Sequence, residues 1–152
     1  MPDTGYKRYG FTQEHQLRNP IGLLNTDTKA GFETFIDGLE QEHMTLLYYS
    51  VKESIRTLQN AYYPADLFSA SIVTFTDGED DGSVYYEKYP GDDEDYLQDV
   101  NTLLNTEEVA GVPLSAWTIG LQSADASDSK LFLEHLQYLV NAATPSTEEM
   151  AV

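Results

Sequence analysis

The apolar residues of this chain fall into short continuous runs and into stripes at helical spacing. The continuous runs predict β-strands over 21–24, Ala70–Thr76 and 112–121. Four other segments repeat apolar residues every three or four positions, which predicts amphipathic helices. Their stripes are Phe32, Phe35, Ile36 and Leu39; Leu47, Val51, Ile55 and Leu58; Tyr96, Val100, Leu103 and Leu104; and Phe132, Leu136, Leu139 and Val140.

The order of these elements is strand, helix, helix, strand, helix, strand, helix. Strands that alternate with helices predict an α/β fold, a Rossmann-like parallel sheet flanked by helices. The fold is expected over residues 20–142, after an irregular N-terminal segment at 1–19 and before a disordered tail at 143–152. Polar caps are expected at residues 25–28 for the first helix, which should run from near Lys29 to Leu39, and at Ser127 or Asp128 for the last.

The charge balance restricts the partners of the chain. It has 26 acidic and 8 basic residues, so its formal net charge is −18. This argues against nucleic acid or an anionic membrane surface as a partner, and favours divalent cations, basic protein surfaces or plain solubility. We expect no membrane insertion and no signal peptide, since no long apolar segment is present. The absence of cysteine excludes disulfides and thiolate metal sites.

An acidic segment, residues 77–95, directly follows the predicted strand that leads into Thr76-Asp77-Gly78. It is predicted to be one long loop, whose last acids favour the N-terminus of the next helix. It contains nine carboxylates and a single Lys88. Because ligands of open α/β sheets bind at the carboxyl ends of strands, Asp77 is the leading candidate for a site residue. The segment also imitates the opening of an EF-hand loop, but Lys88 stands where that loop needs glutamate.

Catalysis is not expected. The three histidines lack metal-ligand spacing, and neither Ser50 nor Ser83, as a candidate nucleophile, has a recognisable His and Asp partner. An alternative is a phosphoacceptor Asp77, as in other doubly wound folds. Those enzymes need a lysine at a neighbouring strand end, which here would lie near Thr118, but the next lysine in the chain is Lys130.

Three features together resemble the second half of a von Willebrand factor type A domain. They are Thr45-Leu46-Leu47-Tyr48, the strand that leads into Thr76-Asp77-Gly78, and Thr118-Ile119-Gly120. The resemblance implies a metal-ion-dependent adhesion site at the carboxyl edge of the sheet. Thr45 and Asp77 would then be ligands to Mg²⁺, with Ca²⁺ or Mn²⁺ as alternatives. Further cation contacts would come from Glu79, Asp80 and Asp81.

The chain departs from that family in two ways. The Asp-x-Ser-x-Ser motif that supplies most of the metal ligands does not occur, and Met44 replaces the glycine usual before Thr45. The first strand of the family, central in its sheet, is also not found. The resemblance therefore implies a partial site with weak metal binding, and a sheet that either residues 3–12 or a second copy of the chain would complete.

These observations predict a non-catalytic protein-binding module with a partial metal site at the carboxyl edge of the sheet. In the family, the cation there takes an acidic side chain of the protein ligand. The alternative is a metal-independent interaction or assembly module with an acidic surface.

Overall fold

In a computed structural model of the chain, the structure describes residues 24–38, 45–63, 66–77, 79–121 and 129–140. The chain forms two compact units, residues 1–43 and 44–152. The predicted segments at 1–19 and 143–152, the strand residues 21–23, Leu39 and the caps Ser127 and Asp128 lie outside the described residues. Leu24 is described, and it is exposed and outside any strand.

In the first unit, helix α1 (Thr26–Asp37) begins three residues before the predicted Lys29. Asn25 caps it, because its side chain accepts hydrogen bonds from the backbone N–H groups of Asp27 and Thr28. The stripe of Phe32 and Ile36 lies at the predicted helical spacing, but both side chains are exposed and no residue of α1 is buried. The stripe therefore predicted the helix correctly but not its packing.

The second unit contains four helices and three strands among its described residues. The elements, in chain order, are α2 (Leu47–Asn60), β1 (Ala70–Thr76), α3 (Ser83–Glu87), α4 (Asp93–Thr106), β2 (Glu108–Val109), β3 (Val112–Gly120) and α5 (Ser129–Gln137). The prediction for β1 is confirmed, and β3 begins as predicted with Pro113 near its start. None of the described helices is long and apolar enough to cross a membrane.

The sheet has the strand order β1-β3-β2. β1 and β3 pair in parallel, from Ala70 opposite Leu114 to Thr76 opposite Gly120. This confirms a parallel α/β pairing. The short strand β2 was not predicted; it pairs antiparallel with the start of β3, and the connecting turn places Ala110 and Gly111 at positive φ.

The core lies on one face of this sheet. The inward side chains of β1 and β3, such as Ile72 and Leu114, are buried together with the apolar stripes of the helices. α2 contacts β1, whereas α4 and α5 contact β3. Helices on both faces were expected. Among the described residues of this unit they cover one face, and Val73, Phe75 and Ile119 on the other face are exposed.

The predicted long loop over 77–95 is wrong as a single loop. The short helix α3 interrupts it, and its last residues already belong to α4. Asp92 caps α4 by accepting from the backbone N–H of Asp95 at 2.9 Å. The acids at this end match the expectation that they favour a helix N-terminus, where the helix dipole attracts negative charge.

Gly120, the last residue of β3, allows α5 to approach the sheet closely. A Cβ atom at this position would clash with the Leu136 side chain and lie 3.0 Å from the Phe132 ring. We expect Gly120→Ala to lower the free energy of unfolding by about 1–3 kcal/mol, because overpacking forces side chains or α5 to shift. Urea denaturation followed by tryptophan fluorescence measures this. The wild-type chain is the reference, and an unchanged urea midpoint in Gly120→Ala would contradict the close approach.

Candidate functional site

The acidic segment packs against the N-terminus of α2. Leu46, the N-cap residue of that helix, has no side-chain acceptor for the free N–H groups of the first turn. Residues 80–83 supply acceptors in its place. Carboxylates at a helix N-terminus are also stabilised by the helix dipole.

Asp80 is the centre of this contact. Its Oδ1 accepts from the backbone N–H of Tyr48 at 3.0 Å and from the Ser83 hydroxyl, while Oδ2 accepts from the Ser83 backbone N–H at 3.0 Å. The Ser83 Oγ in turn accepts from the backbone N–H of Tyr49 at 2.9 Å. Ser83 is fully buried. The pair therefore caps α2 from a segment more than thirty residues away in sequence.

Thr45 and Asp77, the two predicted metal ligands, occupy different surroundings. The backbone N–H of Thr45 donates to Asp81 Oδ1 at 2.6 Å, and the backbone N–H of Asp81 donates to the Thr45 carbonyl at 3.1 Å. Asp77 lies one residue beyond β1 and is exposed, as is Glu79. The structure thus brings Thr45 together with Asp80 and Asp81 through the start of α2.

The other end of α3 is held by a charged network. Lys52 Nζ of α2 lies 2.8 and 2.9 Å from the two carboxylate oxygens of Glu87, and the Tyr96 hydroxyl of α4 donates to the same carboxylate. Burial raises the pKa of Glu87, but the hydrogen bonds from Lys52 and Tyr96 outweigh it and hold the pKa below its ordinary value. This network fixes α3 between α2 and α4.

Electrostatic effects show that carboxylates are crowded near Tyr48. Burial, and then the charges of Asp80, Asp93 and Glu79, raise the pKa of the Tyr48 hydroxyl. Burial, and then Asp80 and Asp92, raise the pKa of Asp93, while His135 lowers it. Among the described residues, however, no group of three or more His, Asp or Glu side chains is arranged to hold a metal ion. Metal binding by Thr45, Asp77 and the neighbouring acids stays a prediction.

A second candidate site is the outward side of the sheet, here called the open face. Its residues are Ser71, Val73 and Phe75 of β1 and Ser115, Trp117 and Ile119 of β3. Parallel register sets Val73 beside Trp117 and Phe75 beside Ile119. Phe75 is 67% exposed and Val73 is 50% exposed. Four large apolar side chains therefore form one patch on the side of the sheet opposite α2, α4 and α5.

Sequence reasoning missed Ser83 and the open face for different reasons. As a serine, Ser83 indicates a nucleophile no more than a cap, but Asp80-Asp81-Gly82-Ser83 carries a local signal, since aspartate favours turns in which its side chain bonds the backbone a few residues on. The open face has no such signal. A continuous apolar run in the sequence predicts a strand that is buried on both faces of the sheet.

Removal of the Asp80 carboxylate should destabilise α2 at its N-terminus. We expect Asp80→Ala to lower the free energy of unfolding by about 1–3 kcal/mol, because the Tyr48 N–H and the buried Ser83 lose their acceptor. Glu79→Ala is the matched control, an exposed acid of the same segment. Urea denaturation followed by circular dichroism measures both. A loss as large in Glu79→Ala would assign the effect to overall charge.

Glu87→Gln should show a pH-dependent loss of stability. Because folding lowers the pKa of Glu87, its charge stabilises the fold above the ordinary glutamate range, and this contribution disappears as the pH falls through the lowered pKa. We expect a loss of about 1 kcal/mol at neutral pH that narrows toward zero in acid. Denaturation at several pH values, with Glu79→Gln of exposed Glu79 as control, measures it. A difference that stays constant into acid would refute the ionic role.

Comparison with known proteins adds no assignment to this geometry. No protein-family model, no curated protein and no solved structure matches the chain.

Proposed function

We propose that this chain is a non-catalytic protein-binding module, and that its binding surface is the open face. The observation that carries the proposal is the exposure of Val73, Phe75 and Ile119 beside Trp117 on a parallel sheet. Parallel strands are usually covered on both faces, and contiguous exposed apolar patches mark interaction sites.

Binding at this face needs no metal ion. The carboxylate of Asp80 accepts hydrogen bonds from Tyr48 and Ser83, and that of Asp81 accepts from Thr45. Replacing these bonds with a cation would leave the N–H groups of Thr45, Tyr48 and Ser83 without acceptors, which costs stability. This favours the metal-independent interaction module over the metal-dependent one.

The finer fold assignment belongs to this proposal. The parallel pairing of β1 with β3, with Asp77 following β1 and Thr45 preceding α2, supports an arrangement like that of a von Willebrand factor type A domain. Such a domain has its metal-ion-dependent adhesion site at the carboxyl edge of its sheet. One observation favours this edge as a second binding region: the carboxylate of Asp77 is exposed there, directly after β1.

A photo-crosslinking experiment separates the two regions. The full chain carrying Val73→p-benzoylphenylalanine is irradiated in an extract of the cells that produce it, in Mg²⁺ or in EDTA. We expect a discrete protein adduct in both conditions, since the open face contains no metal ligand. Adding Phe75→Ser should abolish the adduct, and Thr102→p-benzoylphenylalanine on exposed Thr102 of α4 should not form it.

Three results would count against the open face. The first is the absence of an adduct, and the second is equal adducts from positions 73 and 102. The third is an adduct that requires Mg²⁺ and disappears in Asp77→Ala. That last result would favour metal-dependent binding at the carboxyl edge.

A further inference from the structure

We infer that the open face binds an amphipathic α-helix of another protein, with Lys or Arg on both sides of its apolar stripe. This inference rests on the proposed function and specifies the partner. It follows from the shape of the patch, from the charges around it and from the charge of the whole chain.

The shape of the patch suits one helix. Its large side chains form two adjacent pairs, Val73 with Trp117 and Phe75 with Ile119, along two parallel strands. β1 has seven residues, so at 3.3 Å per residue the open face is about 23 Å long in the direction of the strands. A helix of about 15 residues has that length. Helices packed on a parallel sheet are also the usual cover for a face of this kind.

The charges around the patch are acidic. The outward positions of β1 and β3 carry no charged residue, whereas exposed Asp77 follows β1 at its carboxyl end. Exposed Glu108 lies opposite Pro113 in the β2–β3 pair. Residues directly opposite each other in an antiparallel pair project to the same face of the sheet. Pro113 is four residues before Trp117 on β3, so both residues project to the open face. Glu108, opposite Pro113, therefore lies beside the open face. The open face, with acidic residues at its border, therefore complements a helix that has an apolar stripe with basic residues on both sides of it.

The same charges disfavour two other occupants. A second copy would bring its own acidic flanks and a net charge of −18 against this one, and like charges at an interface are repulsive. An anionic membrane surface would repel the chain for the same reason. A basic helix alone satisfies both the apolar patch and its acidic border.

Trp117 is the single tryptophan of the chain and lies on the open face, so its fluorescence reports binding. The probe is a synthetic helix of about 15 residues with leucine at helical spacing and lysine at the flanks. The matched probe has glutamate in place of every lysine. We expect the leucine–lysine helix to shift the Trp117 emission to the blue with saturation, and the leucine–glutamate helix to leave it unchanged.

Variants of the full chain test the contact. Phe75→Ser should weaken binding of the leucine–lysine helix by about tenfold or more, since the phenylalanine ring would no longer be buried against the helix. Phe68→Ser is the control, because Phe68 is exposed but precedes β1. Asp77→Asn and Glu108→Gln should each weaken binding by up to about fivefold, as expected for exposed ion pairs, and raised salt should have the same effect.

Several outcomes would overturn the inference. Equal binding of both helices, lost in Phe75→Ser, would remove the requirement for a basic partner and leave the proposed function standing. Binding of neither helix would reject the helical partner, and crosslinking at position 73 would still decide the proposed function. A dimer in solution that Phe75→Ser dissociates would assign the face to a second copy. A Trp117 emission insensitive to acrylamide in the free chain would show that its own residues cover the face.

Discussion

The parallel pairing of β1 with β3 is the interaction on which the second unit depends. It aligns Ala70–Thr76 with residues more than forty positions later, and so turns Ile72 and Leu114 toward the same side. The helices α2, α4 and α5 all bury their apolar stripes against that side. Because side chains alternate along a strand, the same register places Val73, Phe75, Trp117 and Ile119 together on the other side.

The packing of α2 against β1 also determines where the acidic segment binds. Once α2 lies along β1, its N-terminus presents N–H groups that Leu46 cannot satisfy, and Asp80, Asp81 and Ser83 accept their hydrogen bonds. Negative charge is thereby used to cap a helix. The cost is the crowding of partly buried carboxylates: burial first, and then the charges of Asp80 and Asp92, raise the pKa of Asp93. At the far end of α3, Lys52 offsets this crowding by bonding both oxygens of Glu87.

The two candidate sites differ in the free energy that binding of a partner would gain or cost. At the carboxyl edge, charge gathers where helix and strand ends meet, and the carboxylates of Asp80 and Asp81 already accept protein hydrogen bonds. On the open face, apolar area is exposed without any competing intramolecular bond. Exposed apolar area gains free energy when a partner covers it, whereas capped carboxylates must first lose their bonds. On the basis of this difference we propose that protein binding occurs on the open face and that the acidic residues at its border select a basic partner.

The sequence by itself determined the local elements. The run Ala70–Thr76, the helical stripes of α2 and α4 and the acids at the start of α4 follow from periodicity and capping, which act within a few residues. The tertiary structure alone decided that Thr45 meets Asp81 and that the helices share one face of the sheet. It also decided that Phe32, Ile36 and Phe75 are exposed despite their apolar patterns. Local pattern shows that a side chain has an apolar face to bury, but only the packing of distant segments decides whether anything covers it.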